Sequence, residues 1–517
     1  MVVGRTGRAA ALVVSLLMLA ACSSSPHRSA PPPSSSTTGS STPSSAAAST
    51  TSVAPSDVAV AWQKCSGGAG PSGYQCATIQ VPRNPRDPSA GGTIGLALDR
   101  RPASGQKIGS LLINPGGPGA SGVDFLPQMI TILPKTVLQH FDVVGFDPPG
   151  VGRSAPIVCL DGPGLDRYFH QDPAPPTAAG VADAIAEDRV FAQGCQQRSG
   201  AELPYVSTVD AAMDMDVMRR DLGDAKLTYL GFSYGTFLGA TYAGLFPNRI
   251  RAMVLDGAMD PSIPVLQSLD QQSAAFDDDL KSAVSSCASS PTCPWKPGPN
   301  GVQAFQRLVQ QVRVNPLPVD GSSRVVGPAE LLYGVAATLY STTTWGDLDQ
   351  ALAQAESGNG TDVMELFDEY TGRSRNGQYT NEFEANAAVN CLDAPAPSIG
   401  AIQAHAPVSQ SVAPVFGLAD LYSEFGCAVW PVPATGAPAP IHAAGSPPIV
   451  VVGTTGDPAT PYQEAQSLAS QLDHGVLLTR LGEGHTGYGF SSCVRNYVDA
   501  YLINLQVPAA GIRCPSD

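Results

Sequence analysis

Lys226-Leu-Thr-Tyr-Leu-Gly-Phe-Ser-Tyr-Gly-Thr-Phe-Leu-Gly-Ala-Thr-Tyr-Ala-Gly-Leu245 is the stretch on which the fold turns. Lys226 to Gly231 is short, apolar and β-prone, and reads as a strand; Tyr234 to Leu245 reads as a helix halted by Pro247. Between them Gly231-Phe-Ser-Tyr-Gly235 fits G-x-S-x-G at a strand-to-helix junction. A serine there occupies a sharp, strained turn, and flanking glycines let the two elements pack closely. Its hydroxyl stands at a helix N-terminus, whose partial positive charge favours a developing anion. The motif alone recurs by chance; this position makes Ser233 the candidate nucleophile rather than a packing turn.

Working outward, Tyr74–Val81 and Thr93–Leu98 read as a hairpin, and Ser110–Asn114 and Phe141–Phe146 as buried strands. Thr208–Leu222 reads as a helix and Ile250–Leu255 as a further strand. Strands alternating with helices imply an α/β fold with a mostly parallel central sheet covered on both faces. From Pro261 to Pro440 the pattern changes to helical segments (Gln267–Ala288, Gly301–Val314, Pro328–Tyr340, Trp345–Ser357) and Pro-rich loops. Sheet logic resumes at Pro448–Gly453 and Val476–Arg480, with a helix near Val494–Leu505. The expected layout is a core over 57–260 and 441–517 with an inserted, mainly helical cap over 261–440.

A lone serine is a poor nucleophile, so a base is required. Of the seven His, only His485 follows a strand directly in a flexible loop, Gly482-Glu-Gly-His-Thr486. Asp457, just past the strand that begins at Pro448, is the candidate to orient the imidazole. Asp473 is the fallback acid, but it precedes a strand, at the wrong end of the sheet. Donors for an oxyanion are expected from the Tyr234 N–H and from the loop Asn114-Pro-Gly-Gly-Pro-Gly119 after the third strand.

Composition bounds the rest. The chain has 517 residues, 43% hydrophobic and 14% charged, with a formal charge of −15. Such an acidic chain is unsuited to tracking phosphate backbones, so nucleic-acid binding is set aside. Arg5 and Arg8 precede an apolar run from Ala9 that ends in Leu19-Ala-Ala-Cys22, which resembles a bacterial lipobox. The expectation is a signal peptide over 1–21 and a lipidated Cys22 tethering an exported protein to the outer face of the cell membrane, with an ordinary secretory signal as the alternative. Ser, Thr, Pro and Ala fill 30 of the 34 positions in 23–56, so 22–56 reads as an extended linker. No later stretch is long and apolar enough to span a bilayer. Without Cys22, ten Cys remain, and proximity suggests the pairs 65/76, 159/195, 287/293, 391/427 and 493/514 as disulfides. None has the C-x-x-C spacing of a zinc site, and no metal or cofactor is expected.

Asn114-Pro-Gly-Gly-Pro-Gly-Ala-Ser-Gly122, Gly231-Phe-Ser-Tyr-Gly-Thr236, Val254-Leu-Asp-Gly257 and Gly456-Asp-Pro-Ala-Thr-Pro461 together resemble the secreted actinobacterial tripeptidyl aminopeptidases. These are exported relatives of the proline iminopeptidases within the α/β-hydrolase superfamily, and the resemblance runs from about residue 60 to the C-terminus. It implies a triad of Ser233, Asp457 and His485 and an oxyanion hole from the amides of Gly117 and Tyr234. Pro115 stands where proline iminopeptidases have His, which argues against single-proline removal. Pro149 stands where relatives commonly carry Arg, a change that bears on local order more than on chemistry. The implied activity is release of short peptides, tripeptides above all, from free N-termini of peptide or protein substrates. A free α-ammonium needs carboxylate partners, and in this family the cap supplies them: Asp393 is favoured, with Glu382 and Glu384 as further candidates. The alternatives are a cell-envelope carboxylesterase or lipase using the same triad, and a non-catalytic binding lipoprotein on a hydrolase scaffold.

Overall fold

The computed structural model describes residues 59–65 and 73–517. The signal segment 1–21, Cys22 and the linker 22–56 lie outside the described residues. The strands are β1 (Gln63–Lys64), β2 (Gln75–Pro82), β3 (Thr93–Arg101), β4 (Gly109–Asn114), β5 (Phe141–Phe146), β6 (Leu227–Phe232), β7 (Ile250–Asp256), β8 (Leu317–Pro318), β9 (Val325–Val326), β10 (Ile449–Gly456), β11 (Gly475–Glu483) and β12 (Arg513–Cys514). All but the β8–β9 hairpin form one sheet in the order β1-β2-β3-β5-β4-β6-β7-β10-β11-β12. The first three are antiparallel additions at one edge, and from β5 to β12 neighbours run parallel.

Every residue of β5 and β6 is buried, because helices cover both faces. Their sequences are therefore continuous apolar runs rather than alternating ones. Helices Gly122–Ile132 and Ser492–Asn504 cover one face, where Phe125, Met129, Val498 and Tyr501 pack with Phe232 and Val254. Thr208–Asp221, Tyr234–Leu245 and Tyr462–Gln471 cover the other, with Met215, Leu238 and Leu468 in its core. The strand order makes β6 central, so its C-terminal end lies at the middle of the sheet's upper rim.

Between β7 and β10 the chain forms helices Val265–Ser289, Gly301–Val314, Pro328–Leu339 and Trp345–Glu356, within two residues of expectation at each end. Four more, Thr361–Tyr370, Glu382–Asp393, Ile399–Val412 and Gly417–Ala428, did not stand out in the sequence. Helices Gly162–Phe169 and Ala178–Ser199, which precede the β6 strand, pack against this group through Phe169 on Phe383 (4.6 Å between centroids) and Phe191 on Trp430 (6.4 Å). Five disulfides join the pairs read from proximity. The turn carrying Pro149 is held without an Arg at that position. Buried Asp147 accepts from Ser121 Oγ (2.6 Å) and the Arg153 N–H (2.9 Å), tying the turn to the helix that begins at Gly122.

The strand-to-helix turn after β6 leaves no room for side chains at its glycines. A Cβ on Gly231 would lie 2.4 Å from the Gly235 carbonyl oxygen, and one on Gly235 would lie 2.8 Å from Asn114 Oδ1. Gly231→Ala therefore forces strand and helix apart and should lower stability by about 1–3 kcal/mol. Chemical unfolding checks this; an unchanged midpoint would mean that the close approach is not needed.

Candidate active site

Ser233 joins β6 to the helix Tyr234–Leu245 with φ +54° and ψ −128°, a conformation that L-residues adopt only under constraint. Several bonds hold it. The Ser233 N–H donates to the Asp256 carbonyl (2.9 Å), and the Ser233 carbonyl accepts from Thr236 Oγ1 (2.6 Å). Tyr229 Oη donates to the Gly235 carbonyl (2.8 Å). The loop after β4 presses on this turn: a Cβ at Gly116 would come 2.8 Å from Ser233 Cβ and 3.1 Å from the Tyr234 nitrogen. Gly116 and Gly117 both have φ near +105°, and the Gly116 N–H donates to Asn114 Oδ1 (2.9 Å). Tyr234 is the first residue of its helix, so its N–H has no intrahelical acceptor. Gly117 and Tyr234 are thus carried on two segments packed against one another beside Ser233.

Asp457 and His485 meet. His485 Nδ1 lies 2.8 and 2.9 Å from the two Asp457 oxygens, and both residues are almost fully buried. Asp457 also accepts from the N–H groups of Ala459 (3.0 Å), Thr460 (2.9 Å) and Thr486 (3.1 Å). Four donors fix the carboxylate and hence the ring. The other ring nitrogen, Nε2, is buried with no hydrogen-bond partner among the described residues, Ser233 Oγ included. Resting serine hydrolase geometries are often this loose and tighten with substrate. Asp473 is elsewhere, 4.0 Å from the exposed ring of His442.

Asp256, at the end of β7, links the two halves. Besides holding Ser233 through its carbonyl, its buried carboxylate accepts from the N–H groups of Gly487 (2.8 Å) and Tyr488 (2.7 Å), in the loop that follows His485. The neighbouring Gly257 lies so close to the imidazole that a Cβ there would be 3.0 Å from His485 Cε1. In the sequence Asp256 stood only inside the Val254–Gly257 motif; the signal for it was a carboxylate at a strand's C-terminal end. Tyr340 also supports the ring, through the His485 N–H on its carbonyl (2.8 Å) and an edge contact at 5.5 Å.

Residues 413–514 match the family described as TAP-like protein, and residues 109–297 match the one described as alpha/beta hydrolase fold. The chain is 37% identical over 463 residues to serine protease Hip1 of Mycobacterium tuberculosis, covering 86% of this chain and 88% of that protein. It is 38% identical over 460 residues to carboxylesterase B of the same species, covering 85% and 86%. To the tripeptidyl aminopeptidase of Streptomyces lividans it is 31% identical over 475 residues, covering 88% and 86%. The chain belongs to the TAP-like α/β hydrolases. As in such hydrolases, the Ser, Asp and His candidates all lie at the C-terminal ends of parallel strands, beneath the helical segment.

Next to the loop Asn114–Gly119 of this TAP-like chain lies a cleft of about 1250 Å³, its mouth included. Its walls are aromatic, among them Tyr168, Phe191, Phe383 and Trp430, and its acids are Asp172, Asp188, Glu382 and Glu424. It adjoins the loop directly, since Asn386, a lining residue, donates through Nδ2 to the Pro118 carbonyl (3.0 Å). Of the three cap acids expected from the sequence, only Glu382 lines this cleft. Asp393 takes the Thr208 N–H (2.8 Å) and the Thr208 hydroxyl, capping the start of helix Thr208–Asp221. Glu384 accepts from the N–H groups of Cys159 (2.5 Å) and Leu160 (3.0 Å). Those carboxylates are committed to backbone donors. The Cys391–Cys427 disulfide instead ties helix Glu382–Asp393 to helix Gly417–Ala428, which carries Glu424. Glu424 is 2% exposed and its Oε2 has no partner among the described residues.

Burial pushes Asp188 and Asp393 up to about 7 and Glu424 and Glu464 up to about 8. Each folded-state pKa lies above its unfolded value, so the stability these groups contribute is fully present below about pH 4 and is lost as pH rises through 7 to 8. Acids held low by ion pairs, such as Asp142, titrate below this window. The thermal midpoint should therefore fall between pH 5 and pH 8.5; a higher midpoint at pH 8.5 would contradict this reading.

Proposed function

We propose that this chain is an exported serine peptidase that releases short peptides from free N-termini through an acyl-enzyme. In this reading His485 Nε2 takes the Ser233 proton as Oγ attacks the carbonyl carbon. The N–H groups of Gly117 and Tyr234 receive the oxyanion, and Asp457 holds the ring and steadies its cation. Collapse breaks the C–N bond as His485 passes its proton to the departing nitrogen. His485 then draws a proton from water as the water oxygen attacks the acyl carbon, and passes that proton to Ser233 Oγ as the C–Oγ bond breaks and the acid leaves. The observation that carries the assignment is the Asp457–His485 pair, whose Nε2 is buried and has no hydrogen-bond partner among the described residues.

The specificity for a free amine rests on the cleft next to the oxyanion loop. A buried carboxyl without a partner, enclosed by aromatic rings, suits an incoming ammonium, which supplies the missing donor and a cation for the ring faces. We assign this role to Glu424, with Glu382 and Asp188 nearby, in place of Asp393 and Glu384. Export is supported by five disulfides, which persist in oxidising compartments. Lipid attachment at Cys22 is part of the proposal. Among the described residues no helix is long and apolar enough to cross a membrane.

The carboxylesterase reading keeps its standing because the relative named carboxylesterase B is as similar as the protease. Tripeptide amides with free and acetylated N-termini, set against aryl esters, separate the two: preference for the free amine supports the peptidase, and preference for long acyl esters the esterase. Ser233→Ala should reduce peptide hydrolysis by at least ~10⁴-fold while leaving the melting curve intact; retained turnover would remove Ser233 from the chemistry. Glu424→Gln should lower kcat/KM for free-amine peptides by about 10–100-fold, the worth of a charge-assisted hydrogen bond, and leave acetylated substrates nearly unchanged. Equal losses on both substrates would move the amine site elsewhere.

A further inference from the structure

A second, narrow slot opens on the other side of the catalytic histidine. Helix Gly122–Ile132 lines it with Phe125, Met129 and Ile132, spaced so that one helix face meets it, and the loop after His485 contributes Phe490. Phe232 forms its floor and the His485 ring one wall. Its polar neighbours are turned away. Tyr488 Oη donates to Asp499 (2.7 Å), and the Thr486 carbonyl accepts from Thr454 Oγ1 (2.9 Å). The Arg480 guanidinium lies over the Phe490 ring at 5.4 Å. What the slot presents is mainly carbon, with the imidazole and the Tyr340 ring at its border.

Its position relative to the acidic cleft gives it a role. Tyr340 borders the slot and packs edge-on against His485, and slot and cleft share no lining residue. A substrate whose ammonium lies in the cleft has its acyl part on that side of Ser233. The atom that departs must reach His485 Nε2 to collect its proton, so the residue carrying that atom comes to lie against the imidazole. Resting on the peptidase reading above, we propose that this slot is the subsite for the first residue beyond the scissile bond, and that it selects an apolar side chain of valine or leucine size there. The leaving peptide is thus recognised by an uncharged pocket, while the released peptide is recognised by an acidic one.

Peptides of the form Ala-Ala-Ala-X-Gly, with X as Leu, Val, Gly or Asp, test this in the intact protein. Leu and Val should be cut with kcat/KM about 10-fold or more above Gly, and Asp should be poorest, as expected for burying an aliphatic side chain. Ile132→Asp and Phe490→Asp change half-buried positions on opposite walls, so neither removes a core residue. Each should bring the Leu-to-Gly ratio of kcat/KM down to about 1 while both peptides are still cut, a discrimination that loss of folding would not produce. Equal turnover of all four peptides by the parent, or a full Leu preference in both variants, overturns the subsite alone. Failure to cut even the Gly peptide, with aryl esters still hydrolysed, overturns the peptidase reading and the subsite with it.

Discussion

Asp256 is the point from which the site is hung. Its carbonyl holds the nitrogen of a serine forced to φ +54°, and its carboxylate holds two backbone N–H groups of the loop that brings His485 back over the sheet. Burial raises its pKa to about 6, while the two N–H donors favour its ionised form. One residue thus ties the Ser233 turn to the loop that follows His485, although the two lie far apart in the chain. The strain of the serine turn persists because strand pairing, the neighbouring glycines and this residue together over-determine it.

The second constraint is electrostatic and belongs to the helices above. Asp188, Asp393, Asp420 and Glu424 are all buried there and all pushed upward by desolvation. Most have a hydroxyl or backbone donor, whereas the Oε2 atom of Glu424, a residue that lines the cleft, has none among the described residues. The cation it lacks would be supplied by substrate in the proposed function. The segment over 162–199 contributes Tyr168, Asp188 and Phe191 to that cleft, so the cleft draws on chain from both sides of the β6 strand.

The core was legible because its strands are covered on both faces: an apolar run such as Phe141–Phe146 or Ile449–Val452 has few other readings, and G-x-S-x-G at a strand end specifies its own turn. Asp457 and His485 were legible from order and from placement after strands, and the structure puts them in contact. The substrate side was not. Glu424 sits in Gly417–Ala428, a helix whose sequence gives no distinctive stripe, and Asp188 belongs to a long helix that the sequence did not set apart. Of the three acids named from the sequence, Glu382 lines the cleft while Asp393 and Glu384 do not, because which acid faces a cavity depends on helix rotation, fixed by tertiary packing. Asp393 and Glu384 face inward and cap backbone groups instead. The segment through Cys22 lies outside the described residues, and its reading rests on sequence alone.

In the proposed function Ser233 is made nucleophilic by the Asp457–His485 pair. Labelling with a fluorophosphonate probe, followed by mass mapping of the labelled peptide, reads this out. A single adduct on Ser233 is expected, its rate of formation collapsing in His485→Ala. An adduct on another residue, or labelling of Ser233 at full rate without His485, would contradict it.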